Sequence, residues 1–258
     1  MKDYRGYNFS TKDAAYESLT HTDLRGAVFA GADMNGATFN GSLMCDLDLQ
    51  WLSFSEVKAE GTNFSGANLS SSRLVSSTFE GAIFRKAIMR GTRFSGSNFI
   101  DADWEEAIVT RASFFSDCLS GAVFRFAKLP KSDFSEVVMD RIDFTDADLF
   151  GVYLTKCAGE ESIFKGADLS DCSIDESHFL GSNFEGANLQ NAVIRDSHFN
   201  SADFSGADLR NTRLWNANFI NANLDSADLR GATGFSGLYK GKPILTDDDY
   251  IAEYGELS

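Results

Sequence analysis

Large apolar residues recur at every fifth position through most of the chain. The series begins at Leu24 and Phe29 and runs without insertion to Leu229. Only Ala59 and Gly159 replace a large side chain in this frame, and a local bulge or a thinner core is expected at those two positions. A period of five fits neither a 3.6-residue helix nor a two-residue strand. The pattern therefore predicts a chain that turns a corner every five residues.

The positions beside each large residue are restricted as well. The position two residues earlier holds a small or modest side chain, such as Ala27 or Ser72, with Asp117 as the polar exception. The position two residues later is often glycine, as at Gly26 and Gly186, which predicts corners where a positive φ costs little. Small and large side chains would then alternate around a narrow interior, and the remaining positions would point outward.

Every twentieth residue repeats the same residue type. One such column runs from Phe64 to Phe204 and is all Phe apart from Trp104, and the next is all Leu from Leu129 to Leu229. Because the same residue type recurs every 20 residues, which is four units of five, a coil is expected to have four sides. The sequence predicts an all-β fold, a right-handed quadrilateral parallel β-helix of about 10–11 coils and, at about 4.8 Å per coil, a rod of about 50 Å.

The two ends of the chain fit the repeat less well. We expect an irregular N-terminal coil over residues 1–21, the β-helix over 22–232 and a C-terminal cap over 233–258. Thr246 precedes three aspartates, a favourable start for a short helix that carries Tyr250, Ile251 and Tyr254. This helix either only covers the last coil or also makes a dimer contact.

No catalytic motif or complete set of metal ligands stands out. His178 and His198 lie twenty residues apart and would stack on one side, but no third ligand completes a site. Cys157 and Cys172 fall on inward positions and are interpreted as core residues. The narrow apolar interior predicts a protein that is not an enzyme and that uses no cofactor or metal. Cysteines without framework spacing and an N-terminus without an apolar signal core indicate the cytoplasm.

The net charge of −15 is distributed unevenly. Residues 1–129 carry 15 acidic and 13 basic side chains, whereas residues 130–258 carry 23 and 10. This balance disfavours nucleic acid and anionic membranes as ligands and favours a basic protein partner. Outward carboxylates at coil spacing form what we call the acidic stripe: Asp143, Asp148, Asp168, Asp203, Asp208 and Asp228. The stripe is either a solubilising product of the repeat, with the carboxylates bonded to backbone, or an imitation of duplex DNA.

Outward apolar side chains are concentrated in neighbouring coils of the N-terminal half. This apolar cluster consists of Ile83, Ile88, Ile108, Val123 and Phe126. Arg85 and Arg125 lie beside it. Outward apolar residues gathered in this way are typical of a contact with another protein.

The unit A-(D/N)-(L/F)-x-G resembles the pentapeptide-repeat family over residues 22 to about 231. The resemblance implies the fold far more specifically than the function. Its quinolone-resistance members are acidic rod-shaped dimers that occupy the DNA-binding saddle of DNA gyrase or topoisomerase IV. The resemblance therefore implies a DNA mimic that binds a type II topoisomerase, confers resistance to its poisons and pairs through its C-terminal end. The unbroken frame lacks the projecting loops of those members, and the alternative is a generic interaction scaffold or regulatory binder.

Overall fold

The chain winds as a parallel β-helix of about 11 coils. The computed structural model describes residues 1–10, 14–234, 238–239 and 242–243. Each coil takes 20 residues, so Ile88 forms a parallel bridge with Ile108 and Asp148 with Asp168. The four-sided parallel β-helix predicted from the sequence is confirmed. The expected C-terminal helix with Tyr250, Ile251 and Tyr254 lies outside the described residues.

The four sides of a coil are defined here by residues 62–66, 67–71, 72–76 and 77–81, and they repeat every 20 residues. The third side forms the most regular sheet. The strands are β1 (Lys2–Asp3), β2 (Thr22–Asp23), β3 (Ser53–Ser55), β4 (Arg73–Val75), β5 (Arg93–Ser95), β6 (Ser113–Phe115), β7 (Asp133–Ser135), β8 (Tyr153–Thr155), β9 (Ser173–Asp175), β10 (Val193–Arg195), β11 (Arg213–Trp215), β12 (Leu238–Tyr239) and β13 (Lys242–Pro243). Strands β3 to β11 form one nine-stranded parallel sheet in chain order. Strands β1 and β2 pair in parallel, and β12 and β13 pair antiparallel.

The interior is filled by columns of stacked side chains. Phe64 and Phe84 lie with ring centroids 5.1 Å apart and nearly parallel, and Trp104 stacks on Phe84 at 4.3 Å. Such offset stacks stabilise the core beyond the apolar area that they bury. Within the described residues, Trp104 Nε1 is the one buried side-chain nitrogen or oxygen without a hydrogen-bond partner.

Each corner requires a left-handed residue two positions after the large side chain. Gly66 has a φ of 69°, but Trp51 and Phe126 adopt φ values of 64° and 58° at the same place in the repeat. The turn is closed by a backbone bond such as the one that Ala67 N donates to Phe64 O at 3.0 Å. Glycine removes the steric cost of this conformation, so it is favoured at the corners without being required.

The corner after the third side is closed differently. In five coils the amide that begins the fourth side donates to a side chain one coil later. Val57 N donates to Ser77 Oγ at 2.9 Å, Ser77 N to Ser97 Oγ at 3.1 Å and Ser97 N to Asp117 Oδ1 at 2.7 Å. Ser177 repeats the arrangement with the amide of Cys157 at 2.9 Å. We call these inward side chains the polar column: Ser77, Ser97, Asp117, Ser177 and Ser197.

Asp117 is the one carboxylate of the polar column. Burial raises the pKa of its carboxyl group to about 7, while bonds from the amides of Ser97 and Phe115 act in the opposite direction. No Lys or Arg is among the groups that shift this pKa. Desolvation therefore outweighs the two hydrogen bonds in setting the protonation of this group.

The expected bulge at Gly159 is absent. The bonds from Met139 N to Ala158 O at 2.6 Å and from Gly159 N to His178 O at 2.8 Å keep the coil register. A Cβ atom at Gly159 would lie 2.6 Å from Cε1 of Phe179 and 3.2 Å from Cγ of Met139. The side chains of the neighbouring coils therefore occupy the space of the missing one, and the interior stays filled. Ala59 is likewise fully buried, and its amide bonds Thr78 O at 2.8 Å.

Candidate partner-binding surfaces

The acidic stripe lies on two adjacent sides, and each of its carboxylates has a structural role. Asp143 and Asp203 are on the first side, and the other four residues are on the second. Asp148 Oδ1 accepts a bond from Phe150 N at 3.2 Å, and Asp203 Oδ1 accepts one from Ser205 N at 2.9 Å. All six residues accept the amide two positions later. Asn188 makes the same bond with Gln190 N, so the repeat selects an acceptor oxygen rather than a charge.

The last two carboxylates of the acidic stripe, Asp208 and Asp228, are paired with arginines. Arg210 Nη2 lies 2.6 Å from Asp208 Oδ2, and its Nε lies 3.6 Å from Asp228 Oδ2. Arg230 Nη2 pairs with the same oxygen of Asp228 at 2.5 Å. Hydrogen bonds from these guanidinium groups lower the pKa of both carboxyl groups. Within the described residues, Asp148, Asp168 and Asp203 have no such ion pair, so the stripe is not uniformly negative.

The apolar cluster is divided by a charged residue. Asp103 lies between Ile83 and Val123 in the same column, and its carboxylate binds Arg85 Nε at 2.6 Å. Ile88 and Ile108 are direct neighbours on the second side and are half-buried. Phe126 is 51% exposed on the first side. Of these five residues, Ile88 and Ile108 are the pair that lies on directly bridged positions.

The histidines and the inward cysteines lie where the repeat predicts them. The rings of His178 and His198 stack with centroids 4.9 Å apart on the fourth side. Over the described ranges, no group of three or more His, Cys, Asp or Glu could hold a metal ion. Cys157 and Cys172 are buried, and this burial raises the pKa of each thiol to about 12. Both sulfurs therefore stay protonated at neutral pH.

Two shallow grooves cross the outer surface. One, of about 500 Å³, lies on the first side, where Arg85 pairs with Glu105 at 3.2 Å and Lys86 with Glu106 at 3.5 Å. The other, of about 320 Å³, is lined by Trp51, Ser71, Arg73, Gly91 and Arg93. The first groove is internally neutralised, whereas the second is lined by two arginines and no carboxylate. These arginines were not predicted as a site, because the nearly balanced charge of residues 1–129 does not show that basic and acidic side chains lie on different sides.

No helix among the described residues is long and apolar enough to cross a membrane.

Comparison with known proteins supports the architecture. The family model for pentapeptide repeats matches residues 18–47, 48–85, 118–155, 162–200 and 197–233. HetL, a pentapeptide-repeat protein involved in heterocyst differentiation regulation in the cyanobacterium Nostoc sp. strain PCC 7120, has a similar structure. It is 23% identical, with a TM-score of 0.57 over 74% of this chain and 90% of HetL. QnrB1, a plasmid-mediated fluoroquinolone resistance protein, is 19% identical, with a TM-score of 0.50 over 77% of this chain and 90% of QnrB1. No curated protein sequence matches this chain.

Proposed function

Because the chain belongs to the pentapeptide-repeat family, we propose that it is a non-enzymatic binding protein whose acidic C-terminal half engages a basic protein surface that normally binds DNA. A type II topoisomerase is the partner to test first, since QnrB1 of similar fold is a fluoroquinolone resistance protein. At this level of identity the likeness concerns the fold alone, so the proposal depends on the charge of the rod itself.

The charge of the C-terminal half is the observation that carries the proposal. Residues 130–234 contain 18 acidic and 8 basic side chains, a net charge of −10. These residues make about five coils, or about 25 Å of rod at about 4.8 Å per coil. The net density of about 0.4 charges per Å is about two thirds of the density along duplex DNA, which has one charge per about 1.7 Å.

The acidic side chains also surround the rod. Asp143, Asp168, Asp175 and Glu160 lie on the first, second, third and fourth sides. A basic saddle that wraps a duplex would therefore meet carboxylates from every direction. A homodimer through the C-terminal ends would join two such halves into one longer acidic rod, and light scattering after gel filtration measures whether it forms.

The test separates the charge of the acidic stripe from its structural role. Replacing four of its aspartates by asparagine removes four charges and keeps the oxygen that accepts the amide two residues later, as Asn188 does in the native chain. The four substitutions are Asp143→Asn, Asp148→Asn, Asp168→Asn and Asp203→Asn. DNA supercoiling by gyrase is measured with increasing protein, with and without a fluoroquinolone. We expect the native protein to alter supercoiling or drug action at micromolar concentration and the variant to lose most of that effect.

A matched control carries the same charge change in the nearly neutral half. Its four aspartates also accept the amide two residues later: Asp23, Asp33, Asp48 and Asp103. Their replacement by asparagine is expected to leave the effect on gyrase within about twofold of the native protein, since local charge and not total charge forms the contact. Equal losses in both variants, or a native protein without effect on gyrase, would overturn the proposal.

A second candidate function is partner binding through Ile88 and Ile108. These neighbouring side chains are half-buried on the second side, in the half of the chain with a net charge of −2. A scaffold or regulatory binder would use such an apolar pair as the centre of a contact. Ile88→Glu with Ile108→Glu is expected to abolish capture of that partner and to leave the gyrase result unchanged.

A further inference from the structure

One corner of the rod, where the second side meets the third, carries arginines in place of carboxylates. Arg73 and Arg93 occupy the same position in the adjacent strands β4 and β5 and are paired in register. Arg90 and Arg111 lie in the turns that lead from the second side to the third. All four side chains are exposed. These four residues are called the basic edge below.

The basic edge is not neutralised by its surroundings. Among the described ion pairs, Arg85 and Arg210 each have a carboxylate within 4.0 Å, but none of the four arginines of the basic edge does. Apart from the buried Asp117, the carboxylates of residues 57–132 all belong to the fourth and first sides: Glu60, Glu80, Asp101, Asp103, Glu105 and Glu106. Like charges placed opposite one another in neighbouring strands are destabilising. Arg73 and Arg93 therefore lower the stability of the free protein, and an anionic ligand would offset that cost.

Apolar surface lies directly beside these charges. Trp51 is 79% exposed and lines the groove of about 320 Å³ that also contacts Arg73 and Arg93. Gly91 forms part of the same groove, and a Cβ atom there would meet nothing within 4 Å, so the groove is open to a ligand. Ile88 and Ile108 border the arginines on the second side. The surface thus combines unpaired guanidinium groups with aromatic and aliphatic contact area, a composition typical of protein-binding surfaces.

We propose that the basic edge binds a short acidic polypeptide segment of a partner protein. Carboxylates of the segment would pair with the four arginines, and its apolar side chains would pack on Trp51 and on the pair Ile88 and Ile108. Arginine suits this role because its guanidinium group binds a carboxylate through two parallel bonds. The inference names partner chemistry for the apolar pair, so it rests on the second candidate function and is independent of the acidic half.

The length of the basic edge favours a peptide over a nucleic acid. Asp48 and Glu56 lie before the basic edge along the rod. In the coil after it, Asp133 and Glu136 lie on the third side, next to Lys128 and Lys131 of the second side. The space between these two pairs of carboxylates is about three coils, or about 14 Å, which matches four or five residues of an extended peptide at about 3.3 Å each. A longer polyanion would meet the carboxylates of Asp48 and Glu56 at one end.

Binding of a defined peptide tests the proposal. The probe is a fluorescein-labelled five-residue peptide, Glu-Leu-Glu-Leu-Glu, whose extended length of about 16 Å fits the basic edge. Fluorescence anisotropy is measured with the full chain at low and at moderate salt. The test variant is Arg73→Ser with Arg93→Ser, since Ser53 and Ser113 occupy the same position in the flanking strands β3 and β6. The control is Arg213→Ser, at the same position of β11 in the acidic half. We expect the double variant to bind at least about tenfold more weakly and the control to stay within about twofold, with affinity falling as salt rises.

Three results would overturn the inference. The first is no binding of the peptide by the native protein at about 100 μM, and the second is equal binding by the double variant. The third is tighter binding of an eight-nucleotide oligothymidylate than of the peptide, which would identify the basic edge as a nucleic-acid site. A thermal melt of each variant verifies that the fold is retained. None of these outcomes affects the gyrase test, which depends on aspartates in the other half of the rod.

Discussion

Replacing Asp117 by serine is expected to stabilise the protein, and to do so more at pH 8 than at pH 5. Serine is the usual residue of the polar column, and its bonding there is known from Ser77. Ser77 Oγ accepts the amide of Val57 at 2.9 Å and donates to Phe54 O at 2.8 Å. A serine at 117 would make the equivalent bonds with Ser97 N and Phe94 O. The substitution therefore keeps the closure of the corner and removes an ionisable group from the core.

The magnitude follows from the pKa of Asp117, which burial raises from 3.8 to about 7. Below about pH 4 the carboxyl group is protonated in both the folded and the unfolded chain, so the shift has no cost. Between pH 4 and 7 the unfolded chain releases the proton while the folded chain retains it, so the free energy of unfolding falls as pH rises. Above about pH 7 the loss is complete. At about 1.4 kcal/mol per pKa unit the total is on the order of a few kcal/mol.

Urea unfolding at pH 5, 6, 7 and 8 measures this effect, with the fluorescence of the buried Trp104 as one probe. The difference in unfolding free energy between Asp117→Ser and the native chain should grow up to about pH 7 and then level off. Because both proteins share every other titrating group, their difference isolates Asp117. Ser97→Ala is the control, since it removes a bond without changing the charge and should cost stability equally at all four values. A difference for Asp117→Ser that is the same at pH 5 and pH 8 would refute the reasoning.

Three further substitutions test the packing and the corners. Phe144→Ala should lower the unfolding free energy by about 3–5 kcal/mol, because the Phe144 ring packs between those of Phe124 and Phe164. A change below about 1 kcal/mol in urea unfolding would contradict its inward position. Trp104→Phe should change the unfolding free energy by less than about 1 kcal/mol, because the loss of buried apolar area is offset by removal of the unpaired Nε1. A large loss of stability in a thermal melt would mean that this nitrogen has a partner. Phe126→Gly should raise the unfolding free energy by about 0.5–1 kcal/mol, because glycine relieves the strain of the left-handed backbone at this corner. A lower unfolding free energy in urea would show that the exposed ring of Phe126 stabilises the fold.

The repeat frame predicted the coil, the sides and the interior, because one rule sorts every residue inward or outward. Phe64 and Phe84 stack, His178 and His198 stack, and Cys157 is buried, each as its place in the frame requires. All of these follow from spacing alone.

The frame did not predict which atoms bond to which. For Asp148 and Asp168 the frame left open whether the carboxylates bond to backbone, and the structure shows that each accepts the amide two residues later. The serines of the polar column occupy positions described only as small, although in four coils the corner before the fourth side depends on their hydroxyl groups. Gly159 suggested a gap in the interior, because its place in the frame does not show that Phe179 of the next coil fills the space beside it. Such features depend on the direction of a side chain and not on its place in the period.

The constant register of 20 residues also has a consequence for the history of the molecule. In the described β-helix, residues bond within their own coil and with the coils directly before and after it. Removal or duplication of one whole coil would therefore rejoin compatible ends and leave each remaining interface as it was. The separation between the basic edge and the acidic half could then change in steps of about 4.8 Å without redesign of the core. Insertion or deletion of whole coils can in this way change the distance between two binding surfaces during evolution.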